Sequence, residues 1–111
     1  MKVKLRELAH SRAGDKGNTL NISVIAYQSK HYPILKEQLT EEKVYRFFEK
    51  NLTGFVKRYE VDNIEALNFV IEGALGGGVS RNLCLDNYGK TLAAAMLDID
   101  INVNPDFGKE G

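Results

Sequence analysis

The sequence predicts an α+β domain: a mainly antiparallel sheet with two helices on one face. Three observations lead there. Apolar residues alternate with polar ones around Thr19–Tyr27 and Phe55–Val61, and they recur at helical spacing after Thr40 and again after Asn87. The elements follow the order strand, strand, helix, strand, strand, helix, which suits helices packed on one side of an antiparallel sheet. At 111 residues with 43% hydrophobic residues, the chain can bury one core and is too short for two ordinary domains, so residues 1–111 are expected to form one unit.

Val3 to His10 mixes apolar and charged residues and is expected as the first strand. Thr19 to Tyr27 is the second. Its Leu20, Ile22, Val24 and Ala26 form an apolar face, and Asn21, Ser23, Ile25 and Tyr27 form a second face that would need covering. Tyr32-Pro33 closes this region, and a short helical turn is expected over Ile34–Gln38. Thr40 is a good N-cap, followed by Glu41 and Glu42 in the first turn, where carboxylates complement the helix dipole. Val44, Phe47, Phe48 and Leu52 then fall on one helical stripe, and Gly54 supplies the stop. Phe55–Val61 reads as a strand. Ile64–Glu72 fits either period, and Val70-Ile71 with the glycines after it favours strand. Leu92, Ala95, Met96 and Ile99 mark a last helix, and the tail from 102 to 111 is expected to fray.

Fifteen basic and fifteen acidic residues balance, and no stretch concentrates Lys and Arg, so nucleic acid is not indicated as a partner. The start carries charges where a secretory signal needs its apolar run, and no run of about eighteen apolar residues occurs, so neither export nor a membrane span is expected. Cys84 is the only cysteine, which excludes an internal disulfide and suits a reducing cytoplasm. Between Leu83 and Leu85 it reads as a small core residue. No metal site and no cofactor is indicated: the histidines lack neighbours at ligand spacing, and the GxxxxGK[ST] spacing is absent.

Two segments carry the possible chemistry. Arg12-Ala13-Gly14-Asp15-Lys16-Gly17-Asn18 is too rich in glycine and polar groups to read as strand interior. Its glycines permit positive φ and hence a nest of backbone N–H groups, while Arg12 and Lys16 suit phosphate or carboxylate and Asp15 could hold one of them. The commoner use of such residues is a plain turn. Gly76-Gly77-Gly78, with Ser80 and Arg81 behind it, allows close approach of a ligand or a partner backbone, or serves as a flexible connection. His10 is a candidate general base, with Asp15 as its orienting carboxylate, although a strand-end histidine that only hydrogen-bonds is commoner. His31 is expected to be exposed. Asn18, Asn21 and Asn68 either line a pocket or stitch strands together.

The run Leu8-Ala9-His10-Ser11-Arg12-Ala13-Gly14-Asp15-Lys16-Gly17-Asn18-Thr19-Leu20-Asn21-Ile22, followed by Leu67-Asn68-Phe69-Val70-Ile71-Glu72-Gly73-Ala74-Leu75-Gly76-Gly77-Gly78, resembles the C-terminal domain of AtuA-type acyclic terpene utilisation proteins. Ser11 and Ala13 are exchanged relative to that family's pattern, and the likeness extends to Asp86 and the Gly89-Lys90 pair. The resemblance implies a ferredoxin-like two-layer sandwich with an extra N-terminal strand. It also implies a link to breakdown of terpenoid or branched acyl compounds as coenzyme A thioesters. In the family this domain follows a much larger one, so a separately encoded large AtuA-type subunit is the expected partner. The domain would then help bind an anionic small molecule or acyl-CoA in a homo- or hetero-oligomer. A self-sufficient acyl-CoA lyase or hydratase with His10 or Asp15 as the base, and a homo-oligomeric scaffold without activity, are the alternatives.

Overall fold

The computed structural model describes residues 1–16, 19–49, 54–72 and 92–104. The architecture is α+β with antiparallel sheets, as the alternating segments require. Strand β1 (Lys2–Lys4) pairs with β6 (Asp100–Asn102), and the main sheet has the order β2-β3-β5-β4, every pair antiparallel. Its members are β2 (Ala9–Lys16), β3 (Thr19–Ala26), β4 (Val56–Val61) and β5 (Ala66–Glu72). Helices α1 (Tyr32–Gln38) and α2 (Glu41–Phe48) connect β3 to β4, and residues 92–96 are helical.

The period-two pattern of β3 sorts as expected. Leu20, Ile22 and Val24 are fully buried, and they meet Leu67, Phe69 and Ile71 of β5, Leu35 and Leu39 at the end of α1, Val44 and Phe48 of α2, and Met96. Each large apolar side chain buried this way contributes about 1.5–3 kcal/mol. Thr40 caps α2 by accepting the Lys43 N–H at 3.1 Å, and Pro33 occupies the first turn of α1, where its missing N–H costs nothing.

Several expectations are corrected. Val3–His10 is not one strand, because a 3-10 turn over Leu5–Glu7 separates β1 from β2 and buries Leu5. The polar segment from Ser11 to Lys16 is strand, paired with β3 throughout, and only Gly17 and Asn18 of the expected loop lie outside the described residues. Small residues are tolerated there because β3 carries the apolar load for both strands. Gly14 has no positive φ. Phe47 leaves the α2 stripe, at 42% exposure, and packs edge-on against Phe48, while Leu52 lies outside the described residues. His31 is buried rather than exposed, its Nδ1 3.1 Å from the Leu8 carbonyl. The chain does not fray at Asn102: that residue ends β6, and the Val103 N–H donates to the Met1 carbonyl at 2.7 Å. Gly54 is needed for space, since a Cβ there would lie 2.3 Å from the Glu72 carbonyl oxygen.

Candidate functional site

The helices pack on the face of the sheet that carries Leu20, Ile22 and Val24, and no described helix covers the other. On that open face the pairing aligns residues in rows. One row is His10, Ile25, Ala66 and Val61; the next is Arg12, Ser23, Asn68 and Tyr59; the third is Gly14, Asn21, Val70 and Lys57. Neighbours within a row stand about 4.8 Å apart across the strands.

The middle row is polar on all four strands. Asn68 Nδ2 donates to Ser23 Oγ at 2.9 Å, joining β5 to β3. Arg12 lies beside this pair, exposed, and forms no salt bridge with any described residue. Tyr59 closes the row at 50% exposure. A planar guanidinium, a hydroxyl, an amide and a phenol thus share one line on a flat surface, a set that can bind a carboxylate or phosphate through charge-assisted hydrogen bonds. Lys57, opposite Val70 of β5, adds a second cation on the same face.

His10 stands one row away. Its ring lies 5.4 Å from that of Tyr27, tilted by 31°, and its Nδ1 is buried with no hydrogen-bond partner among the described residues. Buried polar atoms normally have a partner, so this nitrogen is a site for one. Asp15 does not orient it. Asp15 is opposite Leu20 in the register, whereas His10 is opposite Ile25, which sets the two positions on opposite faces and about 17 Å apart along the strand. Of the sequence candidates, β2 brings His10, Arg12 and Gly14 onto one face, and Lys16 ends the strand opposite Thr19. Gly17, Asn18, Gly76, Gly77, Gly78 and Cys84 lie outside the described residues.

Tyr59 and Lys57 were the neighbours that sequence reasoning missed. The alternation in β4 already put Phe55, Tyr59 and Val61 on one face, but nothing in it told which face turned inward. Val56 settles that, being buried while Phe55 and Tyr59 are half exposed.

A second polar cluster, on the helix side, is structural. The Tyr32 hydroxyl donates to Asp62 Oδ1 at 2.7 Å and lies 3.1 Å from the Ala66 carbonyl. Burial, helped by the neighbouring Asp62, pushes the Tyr32 phenol up to about 12, and the hydrogen bonds from Tyr32 and Lys36 hold Asp62 below the usual carboxylate range. Among the described residues no group of three or more His, Cys, Asp or Glu could hold a metal ion, and no helix is long and apolar enough to cross a membrane.

The fold and the open polar face define a small antiparallel α+β module whose surface chemistry lies on its sheet. Its family is also clear: the AtuA ferredoxin-like domain family matches residues 3–102, nearly the whole chain, and the protein belongs to it. No curated protein and no solved structure matches the chain.

Proposed function

We propose that the protein is the small module of an AtuA-type assembly in the cytoplasm, joining a larger, separately encoded AtuA-type polypeptide and contributing an anion contact to that partner's site. The observation that carries this reading is Arg12: a cation without a salt bridge among the described residues, set beside the Ser23–Asn68 pair on the sheet face that no described helix covers. A flat face of this kind offers donors but encloses nothing, so a partner surface has to supply the walls of any pocket. The anion that fits the family is a carboxylate, or a phosphate or the pyrophosphate in the coenzyme A portion of a branched acyl-CoA.

The test is to recover the tagged protein from its native extract under mild conditions and identify what accompanies it in stoichiometric amount. A larger AtuA-type chain, lost when Arg12 and Asn68 are both replaced by alanine, supports the reading. Recovery without such a chain overturns it.

A second reading, a self-sufficient acyl-CoA lyase or hydratase, draws on the unpartnered Nδ1 of His10, which could take a proton from a bound acyl group. Turnover of acyl-CoA by the purified chain, abolished in His10→Ala, would favour it over the subunit role.

A further inference from the structure

The two outer strands of the main sheet are finished differently, and the difference points to a second copy of this chain. On β4 the Arg58 N–H points away from the sheet and donates to Glu41 Oε2 at 2.7 Å, so a carboxylate from α2 occupies the edge. Alternation of backbone direction then carries across the sheet. If Arg58 points outward, Tyr59 points to Asn68, Phe69 to Ile22, and Ser23 to Arg12. The Tyr27 N–H donating to the Leu8 carbonyl at 2.8 Å obeys the same alternation. On β2, therefore, His10, Arg12 and Gly14 bond inward to β3, while the backbone groups of Ser11, Ala13 and Asp15 point off the edge. Among the described residues nothing bonds to them.

That edge is only partly protected: it carries the charged residues Arg12, Asp15 and Lys16, but it has no proline, no bulge in its pairing with β3, and small residues at Ala9, Ser11, Ala13 and Gly14. Gly14 is the independent sign. Glycine inside a strand weakens it, yet Gly14 has no positive φ and a Cβ there would meet nothing within 4 Å. Nothing described within the chain requires a glycine at this position; another chain passing close by would.

We propose that β2 pairs antiparallel with β2 of a second copy about a two-fold axis at Ala13, joining both sheets into one. For the open faces to continue into each other, residues of like facing must stand opposite. Of the two such registers with the longest overlap, one sets Arg12 against Arg12 and is opposed by like charge. The other sets Ala13 against Ala13, Ser11 against Asp15, and Arg12 against Gly14, so the bare glycine leaves room for the partner's arginine. It forms about six backbone hydrogen bonds. Beside the edge, a groove lined by Ser11, Arg12, Ala13, Ala93, Ala94 and Leu97 would face its own copy across the axis and bury its small alanines there. The larger partner proposed above contacts the sheet face rather than its edge; Arg12 serves both contacts, and a change at Ala13 tests the edge without altering that arginine.

Sedimentation equilibrium of the purified chain at tens of micromolar tests it. The expected result is twice the chain mass. Ala13→Pro removes an N–H that points off the edge and leaves the bonds to β3, so it should weaken the dimer at least about tenfold with an unchanged far-UV spectrum. A13C in a Cys84→Ser background should form a covalent dimer on oxidation, since residues directly opposite lie about 5.5 Å apart, within disulfide range. A monomeric wild-type chain, or a dimer that survives Ala13→Pro unweakened, overturns the proposal. So does a dimer that A13C fails to cross-link, and this last arm decides the matter if the proline variant does not fold.

Discussion

Strands β4 and β2 are the two edges of one sheet, and they solve the edge problem in opposite ways. On β4, α1 and α2 close over the strand: Glu41 takes the Arg58 N–H, and the Arg58 guanidinium donates to the Lys36 and Leu39 carbonyls at 2.9 and 3.1 Å and pairs with Glu60 at 3.0 Å. On β2 no described side chain takes the outward backbone groups, and Ser11 turns its hydroxyl to the Ala93 carbonyl at 2.8 Å instead. A guarded edge is spent on holding the fold together. An edge that no described group takes up can instead serve recognition. Substitutions at β4 should therefore lower stability, and matching substitutions at β2 should change association and leave stability alone.

The largest effect is expected at Arg58. Its guanidinium satisfies carbonyls at the C-terminal end of α1, which otherwise lack intrahelical donors, and its side chain is only 18% exposed. Arg58→Ala should lower unfolding free energy by about 3 kcal/mol, read from the urea midpoint at unchanged slope. Arg12→Ala on the opposite edge should shift that midpoint hardly at all. A comparable loss at both positions would break the comparison, because it would make Arg12 part of the scaffold.

Gly54→Ala comes next. The added Cβ would lie 2.3 Å from the Glu72 carbonyl oxygen and 2.7 Å from its carbon, a backbone obstacle that no rotamer change relieves. A loss of about 2 kcal/mol is expected, measured by thermal or urea unfolding. A variant as stable as the parent would show that the start of β4 shifts freely.

Tyr32 ties α1 to the turn between β4 and β5. Tyr32→Phe removes the bonds to Asp62 and the Ala66 carbonyl and should cost about 1 kcal/mol. It should also change the alkaline limb of stability. The folded-state phenol titrates at about 12, above the ordinary 10, so between those values the native state holds a proton that the unfolded state has released. Its contribution is complete below pH 10 and is lost as pH rises toward 12. Unfolding midpoints across that window should fall for the parent and fall less for Tyr32→Phe.

How much of this was legible in the sequence depended on how much each residue was constrained by its own neighbours. The β3 alternation, the Thr40 cap and the α2 stripe at Val44 and Phe48 could be read directly, since each is a local pattern with one physical solution. The strand β2 could not. Ser-Arg-Ala-Gly-Asp-Lys has the composition of a turn, and it is extended because β3 offers a full ladder beside it. Residue types at the site were visible: His10, Arg12, Asn21 and Asn68 all stood out as polar groups near apolar runs. Their alignment into rows with Tyr59 and Lys57 was not, because register across β3, β5 and β4 is a property of strands far apart in the chain.

The smallest effect separates the two edges most sharply. Gly14→Ala is the same chemical change as Gly54→Ala, but the new methyl group enters open space and the backbone there is not in the left-handed region. Alanine also restricts the unfolded chain more than glycine does. Gly14→Ala should therefore raise unfolding stability by about 0.5 kcal/mol when measured in an Ala13→Pro background at concentrations below the weakened dimer's dissociation constant. In the parent background the same methyl group occupies the space into which the partner's Arg12 is placed, so the dimer should dissociate more readily even as each chain becomes more stable. A gain in fold stability with a loss of association would show that Gly14 is retained for the second copy. A loss in both would mean that β2 carries a structural constraint on its open face, and that its edge is closed to a partner in the folded chain.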